Sequence, residues 1–186
     1  KVLLGFCPVL VDHEVGTNIH VVQSTCGLDL DIGDQATGAR GWIFGPGDLN
    51  GDSRADILAR FADGTLWLYP GNGRGGFGRR IVVGHGWTAS MTIVTPGDWN
   101  GDGRNDLVAR RSDGTLWLYA GNGLGGFPGV RRIGIGWASF ASISGSGDVD
   151  DDGSPDLLAW SQAGLMLLYP GNGRGGFLPK RMVSGG

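Results

Sequence analysis

A period of 50 residues governs this sequence from about residue 41 to its end. Asp48-Leu49-Asn50-Gly51-Asp52 returns as Asp98-Trp99-Asn100-Gly101-Asp102 and again as Asp148-Val149-Asp150-Asp151-Asp152. The run Leu66 to Gly73 returns over Leu116 to Gly123 and in part over Met166 to Gly173. Gly75-Gly76-Phe77 returns as Gly125-Gly126-Phe127 and Gly175-Gly176-Phe177. So many matches at one offset make residues 41–186 three copies of one unit, and a repeated unit buries its apolar surface against its neighbours.

Each unit reads as short strands. Ala55 to Arg60 is a strand followed by the hairpin pair Asp63-Gly64. Thr65 to Tyr69 is rich in β formers, and Gly71 to Gly76 must be a turn. Ile81-Val82-Val83 gives a third strand and Met91 to Val94 a fourth, while no stretch sustains a helical period. Four strands in one unit is the size of a propeller blade, so the expected fold is all-β, a propeller-like array. Rings hold about 4 to 8 blades, so three copies fall short. Either residues 1–40 complete a blade, or two chains share a ring as a homo-oligomer, or the chain is a piece of something longer. The missing tail of the third copy suggests that an N-terminal strand closes the last blade.

Composition narrows the class. Glycine supplies 38 of 186 residues, yet it does not fall at every third position, which excludes collagen. Hydrophobic residues make up 40%, enough for a packed core rather than a disordered chain. A formal charge of −3 offers no basic field for nucleic acid, and no apolar run reaches membrane-span length. Cys7 and Cys26 would pair in a secreted chain and stay buried thiols in a cytosolic one. Lys1 to Leu10 reads as a mature start rather than a signal peptide.

The acidic loops carry the clearest chemistry. Oxygen side chains stand at loop positions one, three, five and nine: Asp48, Asn50, Asp52, Asp56; Asp98, Asn100, Asp102, Asp106; and Asp148, Asp150, Asp152, Asp156. With the seventh-position carbonyl of Arg54, Arg104 or Ser154, such a loop wraps one hard cation, and calcium is expected at about three sites. Carboxylates crowded without an ion would repel one another. The competing reading is that the aspartates only cap turns. An EF-hand is excluded, because its twelfth position needs glutamate and the second copy has Ala109 there. Calcium in turn favours a secreted chain.

The D-x-[DN]-G-D-x-x-x-D loop, the Leu-Trp-Leu-Tyr strand and the Gly-Gly-Phe turn together resemble the FG-GAP/VCBS repeat family. That resemblance covers residues 41–186 and leaves 1–40 as a separate segment. It implies structural calcium in the loops. It also implies one of two functions, since the family includes lectins that bind N-acetylglucosamine and the protein-binding heads of integrin α-subunits. The third copy departs from the pattern: Asp63 and Asp113 become Ala163, Trp67 and Trp117 become Leu167, and Arg60 and Arg110 become Trp160.

Aromatic rings stack on sugars while amides meet hydroxyls, so Trp87, Trp137, Tyr69, Tyr119, Asn72 and Asn122 are the candidate ligand residues. The alternative for any of these rings is inter-blade core. No enzyme is expected. His13-Glu14 with His20 lacks the spacing of a zinc-protease helix, and Ser24 and Ser90 sit in no nucleophile elbow. The G-x-G-x-x-G at Gly71 to Gly76 lacks a following helix. The sequence thus reads as a secreted, calcium-stabilised, multivalent carbohydrate-binding module. A protein-targeting module or an accessory region of a secreted hydrolase are the alternatives.

Overall fold

A computed structural model describes residues 19–24, 27–32 and 41–183, with side chains from Trp42 onward. Cys7 and Cys26 lie outside the described residues. The strands are β1 (Ile19–Ser24), β2 (Gly27–Ile32), β3 (Gly41–Gly47), β4 (Asp56–Arg60), β5 (Leu66–Tyr69), β6 (Ile81–Gly84), β7 (Thr92–Gly97), β8 (Asp106–Arg110), β9 (Leu116–Ala120), β10 (Gly129–Gly134), β11 (Phe140–Gly147), β12 (Asp156–Ser161), β13 (Met166–Tyr169) and β14 (Arg181–Met182). The one helical element among the described residues is a single 3-10 turn, Trp137–Ser139. The fold is all-β.

Each repeat forms a four-stranded antiparallel sheet: β3-β4-β5-β6, β7-β8-β9-β10 and β11-β12-β13-β14. Met91 to Val94, expected as the last strand of the first unit, instead opens the second sheet, where Ile93 pairs with Ala109 and Val94 with Val108. The physical reason is the acidic loop, which acts as a hairpin connection between the strands on either side of it. The strand before each loop carries a register shift, between Phe44 and Gly47, Val94 and Gly97, and Gly145 and Gly147. Pro46 and Pro96 fall within these irregularities, where a missing N–H costs no ladder bond.

The third sheet takes its fourth strand from Arg181–Met182, which pairs with β13. The described N-terminal strands lie on the first sheet, not the last. β1 and β2 form a hairpin, and β2 pairs with β3 at Asp29–Trp42 and Leu30–Gly41, so they widen the first sheet.

The three sheets stack in chain order, with the first strands β3, β7 and β11 side by side. Alternation across each strand gives every sheet two apolar faces. Leu58, Leu66 and Leu68 of the first sheet meet Ile93, Leu107 and Ala109 of the second. The second sheet's opposite face sends Val108, Leu116 and Leu118 against Ile143, Leu157 and Ala159 of the third. A strand buried on both sides therefore reads as unbroken apolar sequence, as in Leu107-Val108-Ala109. Fully burying each such leucine is worth about 1.5–3 kcal/mol.

Candidate functional site

The acidic loops are held by their own carboxylates. Asp48 accepts the N–H groups of Gly51 (2.7 Å), Asp52 (3.2 Å) and Ser53 (2.7 Å). Asp98 does the same for Gly101 (2.7 Å), Asp102 (3.1 Å) and Gly103 (2.7 Å), and Asp148 for Asp152 (3.0 Å) and Gly153 (2.8 Å). The fifth-position carboxylates turn to the seventh residue: Asp52, Asp102 and Asp152 accept the N–H of Arg54, Arg104 and Ser154, each at 2.9 Å.

The ninth-position aspartates are buried hubs. Asp56 accepts the N–H of Leu49 (2.9 Å) and Asn50 (3.3 Å) on one oxygen and of Gly71 (2.9 Å) on the other. Asp106 accepts Trp99 (3.0 Å), Asn100 (3.1 Å) and Gly121 (2.8 Å). Asp156 accepts Val149 (2.8 Å) and Gly171 (3.0 Å). Each thereby ties its acidic loop to the glycine turn of the same sheet. Burial pushes the Asp106 carboxyl up to about 6, helped by the Asp102 charge and opposed by the three N–H donors.

In the third loop, carboxylate oxygens of Asp148, Asp150 and Asp156 lie within 4.8 Å of one another. Oδ1 of Asp150 is buried without a hydrogen-bond partner, while its Oδ2 accepts Arg181 at 2.6 Å. A buried, unpaired carboxylate oxygen beside two further carboxylates suits a hard cation. The first two loops place neutral Asn50 and Asn100 at the corresponding position, and Asn50 Oδ1 accepts the Asp52 N–H at 2.9 Å.

The first two loops also grip the sheet that follows them. Gly125 donates its N–H to Leu49 O and Gly175 to Trp99 O, both at 3.0 Å, and Asn105 Nδ2 donates to Asp48 O at 3.0 Å. Gly51 must be glycine here, since its φ is +81° and a Cβ would stand 2.7 Å from the Gly123 carbonyl. Gly101 is pressed in the same way against Gly173. At the far end of β4, Arg60 Nη1 donates to Thr88 O (3.1 Å) and Met91 O (2.6 Å) in the connector entering the second sheet. Arg110 repeats this latch with Trp137 O (3.1 Å) and Phe140 O (2.5 Å), and reaches Thr92 Oγ1 at 3.1 Å.

A cleft of about 300 Å³ opens at this first junction. The connector before β7 supplies His85, Thr88, Ser90 and Met91, and the second sheet supplies Arg111, Ser112 and Tyr119. Arg111 lies over the Trp117 ring at 4.0 Å and donates to Tyr119 Oη at 3.2 Å, so its guanidinium is pre-positioned. At the second junction the same repeat positions hold Ile135, Ala138, Phe140, Ser161 and Gln162. Phe140, in the place of Ser90, is buried against Trp137 (5.3 Å) and Tyr169 (5.7 Å).

The candidate ligand residues distribute unevenly. Trp87 and Trp137 are 5% and 4% exposed and offer no face to a sugar. They are junction core, Trp87 on Tyr119 at 4.6 Å and Trp137 on Tyr169 at 4.5 Å. Asn72 and Asn122 spend their side-chain oxygens on the N–H groups of residues 74 and 76, and 124 and 126, locking the glycine turns. Tyr69 is buried and accepts Arg80 at 3.0 Å. Of the six, Tyr119 lines the cleft. Sequence reasoning missed His85, Thr88, Arg111 and Ser112 as ligand candidates and took Ser90 only as a nucleophile to dismiss. The available signal was their disagreement with the third copy.

Residues 48–109 and 98–159 match the FG-GAP-like repeat model, and the chain belongs to that family of repeat proteins. Among solved structures the chain is similar to a lectin of Agrocybe aegerita, described for specific recognition of non-reducing terminal N-acetylglucosamine. The TM-score is 0.57 at 25% identity, over 76% of this chain and 37% of the lectin. The chain thus spans little more than a third of that lectin's length. No curated protein matches it.

Proposed function

We propose that this chain is a secreted, non-enzymatic carbohydrate-binding module of propeller type, stabilised by calcium in its acidic loops. The observation that carries the binding role is the cleft between the first two sheets. It combines an arginine held by an aromatic ring and a tyrosine hydroxyl with serine, threonine and histidine groups around it, a set that suits sugar hydroxyls and an acetamido group. The similarity to a lectin that recognises terminal N-acetylglucosamine supports the same ligand class. Because Phe140 fills the corresponding place at the second junction, the expected repetition of equivalent sites narrows to this cleft.

Asp148, Asp150 and Asp156, with the corresponding Asp48, Asn50, Asp56 and Asp98, Asn100, Asp106, would hold the cations. A bound calcium would supply fixed positive charge that relieves carboxylate repulsion and stiffens the loops that grip the next sheet. The binding test is calorimetric titration with an N-acetylglucosamine-terminated oligosaccharide, comparing wild type with Ser90→Phe. Ser90→Phe installs the ring that closes the second junction. Its affinity should fall at least tenfold, about 1.4 kcal/mol, with the melting temperature kept. Saturable binding left intact by this substitution, or no sugar binding by the wild type, would overturn the reading.

A further inference from the structure

The second sheet's side of the open cleft carries two arginines that no carboxylate pairs. Arg111 lies half-buried over the Trp117 ring at 4.0 Å. Arg132 is exposed on the edge strand β10, where it pairs in register with Trp117, so the two side chains stand on one face of the sheet. That face meets the first sheet, because Tyr119, two residues on from Trp117, packs there on Trp87. Among the described residues the ion pairs are Arg54–Asp52, Arg104–Asp102 and Arg181–Asp150, so both guanidinium groups are unpaired. At the second junction the same repeat positions hold Ser161, Leu167 and Met182 in place of Arg111, Trp117 and Arg132. The junction that Phe140 fills is thus also the one without these charges.

Two hairpin aspartates stand near the cleft without lining it. Asp113 is held low by Thr115 and to a lesser degree by the Arg111 charge, and its Oδ1 is spent on the Thr115 N–H and hydroxyl. Asp63 is held low by Thr65 and to a lesser degree by His85, and its Oδ1 accepts the Thr65 N–H. Neither comes close enough to pair with Arg111 or Arg132. A guanidinium offers five N–H donors in a planar fork. Arg111 spends one on the Tyr119 hydroxyl at 3.2 Å, and the Trp117 ring beneath it fixes its plane. The remaining edge suits two oxygens of a carboxylate or a sulfate. A neutral sugar would leave this half-buried charge without a counter-charge.

Resting on the carbohydrate-binding reading of the cleft, we propose that the saccharide bound there carries an anionic group, a carboxylate or a sulfate ester, received by Arg111 with Arg132 beside it. The test is calorimetric titration of the whole chain with three hexasaccharides that share a non-reducing N-acetylglucosamine. One alternates N-acetylglucosamine with glucuronate, the next has those carboxylates reduced to alcohols, and the last carries sulfate esters on these alcohols. At about 50 mM salt an anionic form should bind about tenfold or more tighter than the reduced form, and the advantage should shrink at about 500 mM. Whichever anionic form is preferred identifies the group. Arg111→Gln and Arg132→Gln should each cut the preference to about threefold or less. Arg132 is exposed, so its variant keeps the test decisive if Arg111→Gln unfolds. Arg74→Gln, on the glycine turn of the first sheet, should leave the preference unchanged. Equal affinity for all three sugars would overturn the acidic ligand and leave the carbohydrate reading standing, whereas no binding of any would overturn both. A preference that survives Arg111→Gln and Arg132→Gln, or that Arg74→Gln also removes, would place the anion elsewhere and overturn the assignment.

Discussion

Replacing Arg110 by alanine should cost about 2–4 kcal/mol of folding stability. The guanidinium makes three hydrogen bonds, to Trp137 O, Phe140 O and Thr92 Oγ1. Bonds from charged donors contribute about 1.5–3 kcal/mol each, so the gross loss approaches about 5–9 kcal/mol. Two effects reduce it. Burial already disfavours the charge, which lowers the Arg110 pKa, and that penalty vanishes with the side chain. Arg110 is also only partly buried, so water can reach part of the exposed carbonyls. The assay is urea denaturation of wild type, Arg110→Ala and Arg110→Lys with the m-value held common. Lysine should fall between, since a single ammonium cannot fork between separate carbonyls. Amide exchange should speed up at Trp137, whose N–H donates to Gly114 O at the same junction. A loss below about 0.5 kcal/mol for alanine would refute the latch as a source of junction stability.

Chelation should lower the melting temperature, since an ion bound only by the folded state at a hundred times its Kd stabilises by about 2.7 kcal/mol. Asp150→Asn should blunt that calcium dependence in differential scanning calorimetry, and a melting curve indifferent to EDTA would remove calcium from the loops. Gly101→Ala should destabilise by more than about 1 kcal/mol through positive φ and the Gly173 carbonyl, whereas Asp151→Gly at the same repeat position should be neutral or better; equal costs in chemical denaturation would contradict the junction geometry. The Asp113 carboxyl is held below the usual carboxylate range, first by the Thr115 hydroxyl and then by its N–H. Its small contribution to stability is therefore present at neutral pH and lost as pH falls through the depressed pKa, and Thr115→Val should raise that pKa in a carbon-detected NMR titration. Trp137→Ala should cost about 3–5 kcal/mol as a core truncation, read by thermal melting.

The period and its acidic loops were legible because both are local. Each loop's aspartates bond the loop's own N–H groups, and spacing alone conveys that. Strand phasing was not legible, because Met91 to Val94 is equally good β sequence whether it closes one sheet or opens the next. Only the loop's action as a hairpin decides, and that is a tertiary outcome. Trp87 and Trp137 misled for a related reason: a glycine-flanked tryptophan reads as an exposed platform, yet its ring fills the gap between two sheets. Asn72 and Asn122 were drawn as ligand amides when their oxygens are spent inside a four-glycine turn that needs them. The latch role of Arg60 and Arg110 left no local trace, since its partners lie about 30 residues ahead.

Where the three copies agree, the residues answer to a demand every copy shares: leucines on both faces, a carboxylate hub, a turn-locking asparagine. Agreement therefore describes scaffold, the acidic loops included, and is silent about the sugar. Disagreement carries the functional information, because a copy freed from a shared constraint has been put to another use or faces another neighbour. Ser90 against Phe140 separates an open junction from a filled one. Gly51 and Gly101 against Asp151 separate faces pressed by a sheet from one that meets none among the described residues. Trp160, where two arginines reach forward, trades a polar latch for apolar area. A cleft-closing substitution at Ser90 and a latch-restoring substitution at Trp160 should therefore act independently, one on sugar affinity and the other on folding stability. Ser90 lies at the first junction and Trp160 on the outer face of the third sheet, so the double variant should show both effects at their single-variant size. Coupling between them would mean that the departures belong to one altered surface rather than two.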